Sequence, residues 1–212
     1  MGKTNEAYEI IKNKILEGEL LPLSDISEDE LQSELSLSRT PIHEALQLLE
    51  KEGFVNIYPR KGTIVAEMTL DLIFGVYEAR ELNEPYITRH ACSILPDAWI
   101  EKMKQEYEAF LINEENFTDV KARRHYIELD RELHGKILET CRNIFLKSMM
   151  ANIYDHSHRL RVRTDRQNKR YDLSVKEHLN IINALLDRNP DAAEQAAREH
   201  VMRSKETAFK YY

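Results

Sequence analysis

The sequence predicts a mainly α protein in two parts. Three short helices and one β-hairpin occupy residues 1–68, and an all-helical antiparallel bundle of about six helices fills residues 69–212. Three observations carry this reading. Six Gly and six Pro in 212 residues are about half the usual share, while charged residues reach 32%, which is the balance of a helical chain and not of a turn-rich β chain. Apolar residues recur at helical spacing along most of the sequence. Strand-like runs are confined to one stretch around residue 60.

Taken in order, Tyr8, Ile11, Ile15 and Leu16 predict a helix over residues 4–17, stopped by Gly18. Leu20-Leu21-Pro22 reads as an extended linker. Ser27, with Glu30 three residues on, forms a capping box that opens a short helix through Leu31 and Leu35. After a turn at Leu37-Ser38, a third helix starts with Ser38 as cap and Pro41 in its first turn. It carries Ile42, Ala45, Leu46 and Leu49 on one face and ends at Gly53. Residues 54–58 and 63–66 then read as two strands joined by Pro59-Arg60-Lys61-Gly62. A helix-turn-helix followed by a β-hairpin is a winged helix-turn-helix. Beyond Thr69 only helical patterns follow, with breaks near Leu95-Pro96, Asn116–Asp119, Thr140–Asn143, Asp165–Lys169 and Asn189-Pro190. Pro85 is expected to kink the first of these helices, because it lacks an amide donor.

Composition excludes several classes. No apolar run approaches the roughly 18 residues of a membrane span, and the N-terminus has no apolar signal segment. Both point to a cytoplasmic protein with no membrane partner. Cys92 and Cys141 form no CxxC pair, so a disulfide scaffold or cysteine-rich zinc module is excluded. The net charge of -7 argues against non-specific coating of nucleic acid but leaves local basic contacts open. Residues 1–38 hold three Lys against nine Asp or Glu, whereas residues 39–63 hold four basic residues against three acidic ones.

Ser38-Arg39-Thr40-Pro41-Ile42-His43-Glu44-Ala45-Leu46, then Leu49-Glu50-Lys51-Glu52-Gly53-Phe54-Val55 and Pro59-Arg60-Lys61-Gly62-Thr63-Ile64-Val65, resemble the DNA-binding domain of the GntR family of bacterial transcription regulators. The family pattern reads S-R-T-P-V-R-E-A-L, and its second arginine is His43 here. The C-terminal part, through Asp130-x-x-x-His134, Glu177-His178 and His200, resembles the helical FCD effector domain of the FadR subfamily, in its shorter, VanR-like version. The N-terminal end of the second helix of such a motif enters the major groove, which puts Arg39, Thr40 and His43 at the reading position. Arginine pairs bidentately with guanine, and Thr40 and His43 can reach a base edge or phosphate. The resemblance also puts the wing tip, Lys61, Gly62 and Thr63, on DNA. A winged helix used only for protein contacts, with Arg39 solvated, is the competing reading.

The helical part carries a second constellation. Ile127, Asp130, His134, Ile137 and Cys141 share one helical stripe, so the aspartate and histidine face inward. His178 lies on the stripe of Val175, Ile182 and Leu185, and His200 on that of Ala193, Ala197 and Val201. Each histidine stands eleven positions from Asn189. Antiparallel packing therefore sets them at one height, roughly 16 Å from the turn at about 1.5 Å per residue. Three imidazoles and a carboxylate suit a divalent ion, zinc or nickel first, then manganese or iron. The alternative is four separately hydrogen-bonded core residues. The FCD resemblance assigns the same four residues to metal. His43, His90, His125, His156 and His158 lack such a set and read as surface or locally bonded. Arg80 projects inward on the stripe of Ile73, Val76, Tyr77, Glu84 and Ile87, either paired with Glu84 or clamping an effector carboxylate. The run from His158 through Arg159, Arg161, Arg163 and Arg166 offers further anion contacts or solvated charge.

The functional expectation is a homodimeric regulator that binds double-stranded operator DNA at a short inverted repeat and responds to a small organic acid at the metal. One alternative is a metal-dependent hydrolase, against which Glu132 and Glu177 are expected to point away from the metal. The other is a repressor whose metal is purely structural.

Overall fold

The structure is a computed structural model that describes residues 2–112, 118–164 and 170–211. The chain divides into two compact units, residues 1–70 and 71–212. The first unit contains α1 (Lys3–Leu16), β1 (Asp25–Ile26), α2 (Glu28–Leu35), α3 (Arg39–Lys51), β2 (Val55–Tyr58) and β3 (Gly62–Val65). Ala7, Ile11 and Ile15, spaced four apart on α1, bury against Ile42, Leu46 and Leu49 of α3 in one apolar cluster. Complete burial of an aliphatic side chain contributes about 1.5–3 kcal/mol, so this face and not local propensity holds the short helices. Ser27 caps α2 by accepting from the Glu30 amide at 3.2 Å. Ser38 stands at the N-cap of α3 but makes no side-chain cap bond.

The sheet has order β1-β3-β2, antiparallel throughout. The expected hairpin is β2–β3, with Val55 opposite Val65 and Tyr58 opposite Gly62. β1 corrects the sequence reading, which placed no strand after the extended linker at 20–22. A two-residue strand is too short to show a period. Its register comes from a distant partner, with the Leu23 amide donating to the Val65 carbonyl at 3.0 Å and the Val65 amide to Ser24 at 3.0 Å. At the hairpin tip Arg60 and Gly62 have φ of +65° and +108°, the second of which only glycine adopts without strain.

The second unit is helical among the described residues: α4 (Leu70–Ala91, which begins one residue before the boundary), α5 (Asp97–Ile112), α6 (Val120–Glu139), α7 (Ile144–Thr164), α8 (Tyr171–Leu186) and α9 (Pro190–Tyr211). These are the six helices expected. α4 continues through Pro85. Asp119 caps α6 by accepting from the Ala122 amide at 2.8 Å. The predicted breaks at Asn116 and at Asp165–Lys169 lie outside the described residues. Met103, Tyr107, Leu133, Ile182, Leu185 and Ala197 join in one core drawn from α5, α6, α8 and α9. The turn after α8 brings α9 back along it, so inward residues at matched distances from Asn189 meet. No helix among the described residues is long and apolar enough to cross a membrane.

Candidate metal centre and nucleic-acid interface

In the first unit α3 begins at Arg39 and leaves Arg39, Thr40 and His43 exposed while Pro41 and Ile42 are buried. The Arg39 side chain is 69% exposed, with Nη2 3.0 Å from Asp29 Oδ1 and Nε 3.9 Å from Glu28. His43 Nδ1 lies 3.3 Å from Glu28 Oε1, and Gln47 Nε2 lies 3.3 Å from His43 Nε2. Gln47 is thus a further exposed polar residue on this face, one turn beyond His43. At the hairpin tip Lys61 and Gly62 are exposed. Thr63 is not: it is 4% exposed, locked in β3 opposite both Ile26 and Ile57. Strand alternation turns its side chain into the unit's interior, so the expected DNA contact at Thr63 falls to its backbone.

In the second unit one potential ligand atom from each of Asp130, His134, His178 and His200 lies within 4.8 Å of the others. The rings of His178 and His200 are 4.2 Å apart, and those of His134 and His200 5.3 Å. Asp130 Oδ1 is 2.9 Å from His178 Nε2 and 3.6 Å from His134 Nε2, and the two Nε2 atoms are 3.2 Å apart. Donor atoms about 2.0–2.2 Å from one ion stand roughly 2.9–3.4 Å from their nearest neighbours, so this spacing fits a shared cation. His178 Nδ1 donates to the Ser174 carbonyl at 2.8 Å, which leaves a lone pair on the Nε2 of its neutral form. That lone pair faces a carboxylate, a contact that a cation between them resolves.

Each of the four has an outer neighbour, the arrangement that orients metal ligands. His134 Nδ1 is 3.1 Å from Glu84 Oε1, and His200 Nδ1 is 3.4 Å from Glu177 Oε2. Arg161 pairs with Asp130. Burial pushes the Asp130 carboxyl up, but Arg161 and then His134 outweigh it and hold it well below the usual carboxylate range. Burial pushes His134 down, yet Glu84 and then Asp130 raise it to about 9. His178 is lowered by burial, and His200 well below its ordinary value by burial and then by its two imidazole neighbours.

Arg80 is buried and makes the expected pair, Nε donating to Glu84 Oε2 at 2.9 Å. It also donates to Ser157 Oγ at 2.9 Å, and its Nη2 comes 3.5 Å from His200 Nε2. Arg80, Asp130 and His134 open on a cavity of about 220 Å³ that Tyr154, His158 and Gly135 also line. A Cβ added at Gly135 meets nothing within 4 Å, so this glycine leaves cavity space unfilled.

Several expectations change here. Glu177 does not point away: it is 4% exposed and faces His200. His156 and His158 are buried, with His158 on the cavity wall, which leaves the locally bonded reading for them, whereas His43, His90 and His125 are exposed. In the basic run Arg159 is buried, its pKa lowered to about 10 by burial and then by Arg163. Arg163 is exposed, and Arg166 lies outside the described residues. Cys92 is buried as a core residue and Cys141 half-buried.

The sequence matches the FCD domain family over residues 75–203 and the family of bacterial regulatory proteins of gntR type over residues 3–65. The chain belongs to the GntR family of transcription regulators and carries an FCD domain. This GntR-FCD regulator is 29% identical, over 86% of its length and 83% of the other's, to the Nta operon transcriptional regulator of Aminobacter aminovorans. Its fold is that of McbR/YncC of E. coli, at a TM-score of 0.82 and 15% identity over 99% of this chain and 98% of that one. A solved metal-free FCD domain aligns at a TM-score of 0.55 and 17% identity, over 69% of this chain and 97% of that one. The family is one of regulators, not enzymes, so the hydrolase alternative falls away.

Proposed function

We propose that this regulator binds double-stranded operator DNA as a homodimer in the cytoplasm and responds to a small organic acid held at a divalent metal in its FCD domain. Asp130, His134, His178 and His200 hold the ion, with zinc or nickel the best match to three imidazoles and one carboxylate. When bound, the metal supplies a Lewis-acidic anchor for a carboxylate. The observation that carries this reading is the convergence of three imidazoles and one carboxylate within 4.8 Å, with Asp130 and His134 of that set opening on a cavity that also presents Arg80.

Charge supports an anionic ligand. Asp130, Glu84 and Glu177 are matched by Arg161, Arg80 and Arg170, so a divalent ion adds charge that the surrounding groups do not balance. A carboxylate offsets it, with the Arg80 guanidinium orienting a second oxygen. The cavity of about 220 Å³ has room for a small acid.

On the DNA side Arg39, Thr40, His43 and Gln47 face the major groove, while Lys61 and Gly62 meet the backbone or minor groove. Asp29 and Glu28 must release Arg39 for it to reach a base, which disfavours indiscriminate phosphate binding. The dimer is supported by the exposed Phe74, Leu82 and Tyr86 along one side of α4, apolar area that a second copy would cover. The experiment that tests the reading is elemental analysis and mass spectrometry of the gently purified chain. About one divalent ion per chain with a co-purifying organic acid is expected. Absence of both would sink the proposal.

A further inference from the structure

We propose that Glu177 is a positioning residue of this centre, which holds the proton of His200 on Nδ1 and so directs the Nε2 lone pair at the ion. The inference rests on the metal reading, but its decisive measurement does not need the metal. Adjacent residues on a helix diverge by about 100°, so with His178 turned into the bundle, Glu177 flanks it on the side that α9 covers. There Glu177 Oε1 pairs with Arg170 and lies 3.8 Å from Arg203 Nη1, leaving Oε2 directed at His200 Nδ1, 3.4 Å away. Among the described residues neither Oε2 nor Nδ1 makes a hydrogen bond, to the other or to any other group, so the contact between them is one of proximity, two buried and otherwise unsatisfied polar atoms held 3.4 Å apart.

Donor and acceptor chemistry then selects one tautomer. A neutral imidazole carries one N–H, an ionised carboxylate only accepts, and a guanidinium only donates. Glu177 stands at Nδ1, and Arg80 Nη2 stands 3.5 Å from Nε2. Both neighbours therefore favour the proton on Nδ1 and the lone pair on Nε2, the ring nitrogen that this leaves for the ion. Glu84 occupies the same place beside His134. Losing such an outer partner typically costs 10–100-fold in metal affinity.

The alternative role for Glu177 is purely structural, as the acid that neutralises Arg170. Two readouts on the full-length chain separate the roles. Long-range proton–nitrogen NMR of the metal-free protein reports the His200 tautomer, and competition with a chromophoric chelator reports Zn²⁺ affinity. Glu177→Leu removes the acceptor; Arg170 keeps its bonds to Thr207 Oγ1 at 2.6 Å and the Arg203 carbonyl at 3.2 Å. Glu177→Gln keeps the shape, but its amide can accept or donate, and it serves as the test should the leucine variant not fold. The expected result is Nδ1–H alone in the wild type and an Nε2–H population in both variants. Zn²⁺ affinity should fall about 10–100-fold in Glu177→Leu and less in Glu177→Gln. An Nδ1–H tautomer that persists in both variants with unchanged Zn²⁺ affinity, even with a lowered melting temperature, overturns the proposal. A wild-type chain that takes up no Zn²⁺ overturns the metal reading instead.

Discussion

Removing the metal should destabilise the FCD domain, and His178→Ala should abolish that metal dependence. A ligand that binds only the folded state at about a thousand times its Kd adds about 4.1 kcal/mol. The second unit spans residues 71–212, and for domains near this size about 1 kcal/mol moves Tm by roughly 2–4 °C. Saturating Zn²⁺ is therefore expected to raise its melting temperature by roughly 8–16 °C over the chelator-treated protein. His178 is the sharpest probe because it is fully buried, within 3.2 Å of the His134 Nε2 and 2.9 Å of Asp130. Its truncation also leaves a cavity against Tyr107, whose ring centroid is 5.2 Å away, at a cost of about 2–5 kcal/mol with or without metal. The informative quantity is accordingly the difference between Zn²⁺-loaded and chelated samples of the same protein, read by scanning calorimetry. A shift in His178→Ala as large as in the wild type would refute the ligand assignment, and no shift in the wild type would refute the metal.

Arg39→Ala should lose about 1–3 kcal/mol per half-site and blur the consensus selected from random duplexes, whereas Lys61→Ala should weaken all sequences alike and flatten the salt dependence; an unchanged consensus in the first, or a loss at one base pair in the second, reverses the assignment. Calorimetric titration of small carboxylates with and without operator DNA should give different affinities, a tenfold change corresponding to about 1.4 kcal/mol of coupling. Equal affinities would leave binding intact and remove the regulatory claim. Gly135→Leu should fill the cavity and abolish carboxylate binding without lowering Tm, since its Cβ has open space and replacing a helical glycine gains roughly 0.8–1 kcal/mol. Unchanged carboxylate binding would move the ligand elsewhere.

Most of the fold was legible because each helix buries one face. The stripes of α1, α3, α6, α8 and α9 repeat at helical spacing, and Gly18, Gly53 and Asn189-Pro190 mark ends that the structure keeps. β1 was not legible, since two residues show no alternation and its pairing depends on Ile64 and Thr63, nearly forty positions away. The burial of the Thr63 side chain was hidden for a related reason. A family pattern that places a segment on DNA does not say which of its side chains a strand turns inward, whereas the burial of alternate residues in β3 does.

The candidate site divides along the same physical line. Periodicity reports which way a residue leaves its own helix, and that sufficed for Asp130, His134, His178 and His200, because a bundle brings its inward faces to a common axis. It does not report what a flanking residue meets on the next helix. Glu177 departs from the centre of the α8 stripe and so reads as outward, but α9 covers that flank and supplies His200 to it. Arg161 escapes the same way: in a basic run it looks solvated, until α6 puts Asp130 against it. The residues visible in sequence are thus those that could hold an ion, and the neighbours that would orient them emerge only from packing. Outer neighbours depend on helix rotation and offset, which many sequences satisfy differently. Regulators that share the four ligands should therefore differ in metal affinity through positions like Glu177 and Arg161, and the tautomer of His200 is where that difference is measured directly.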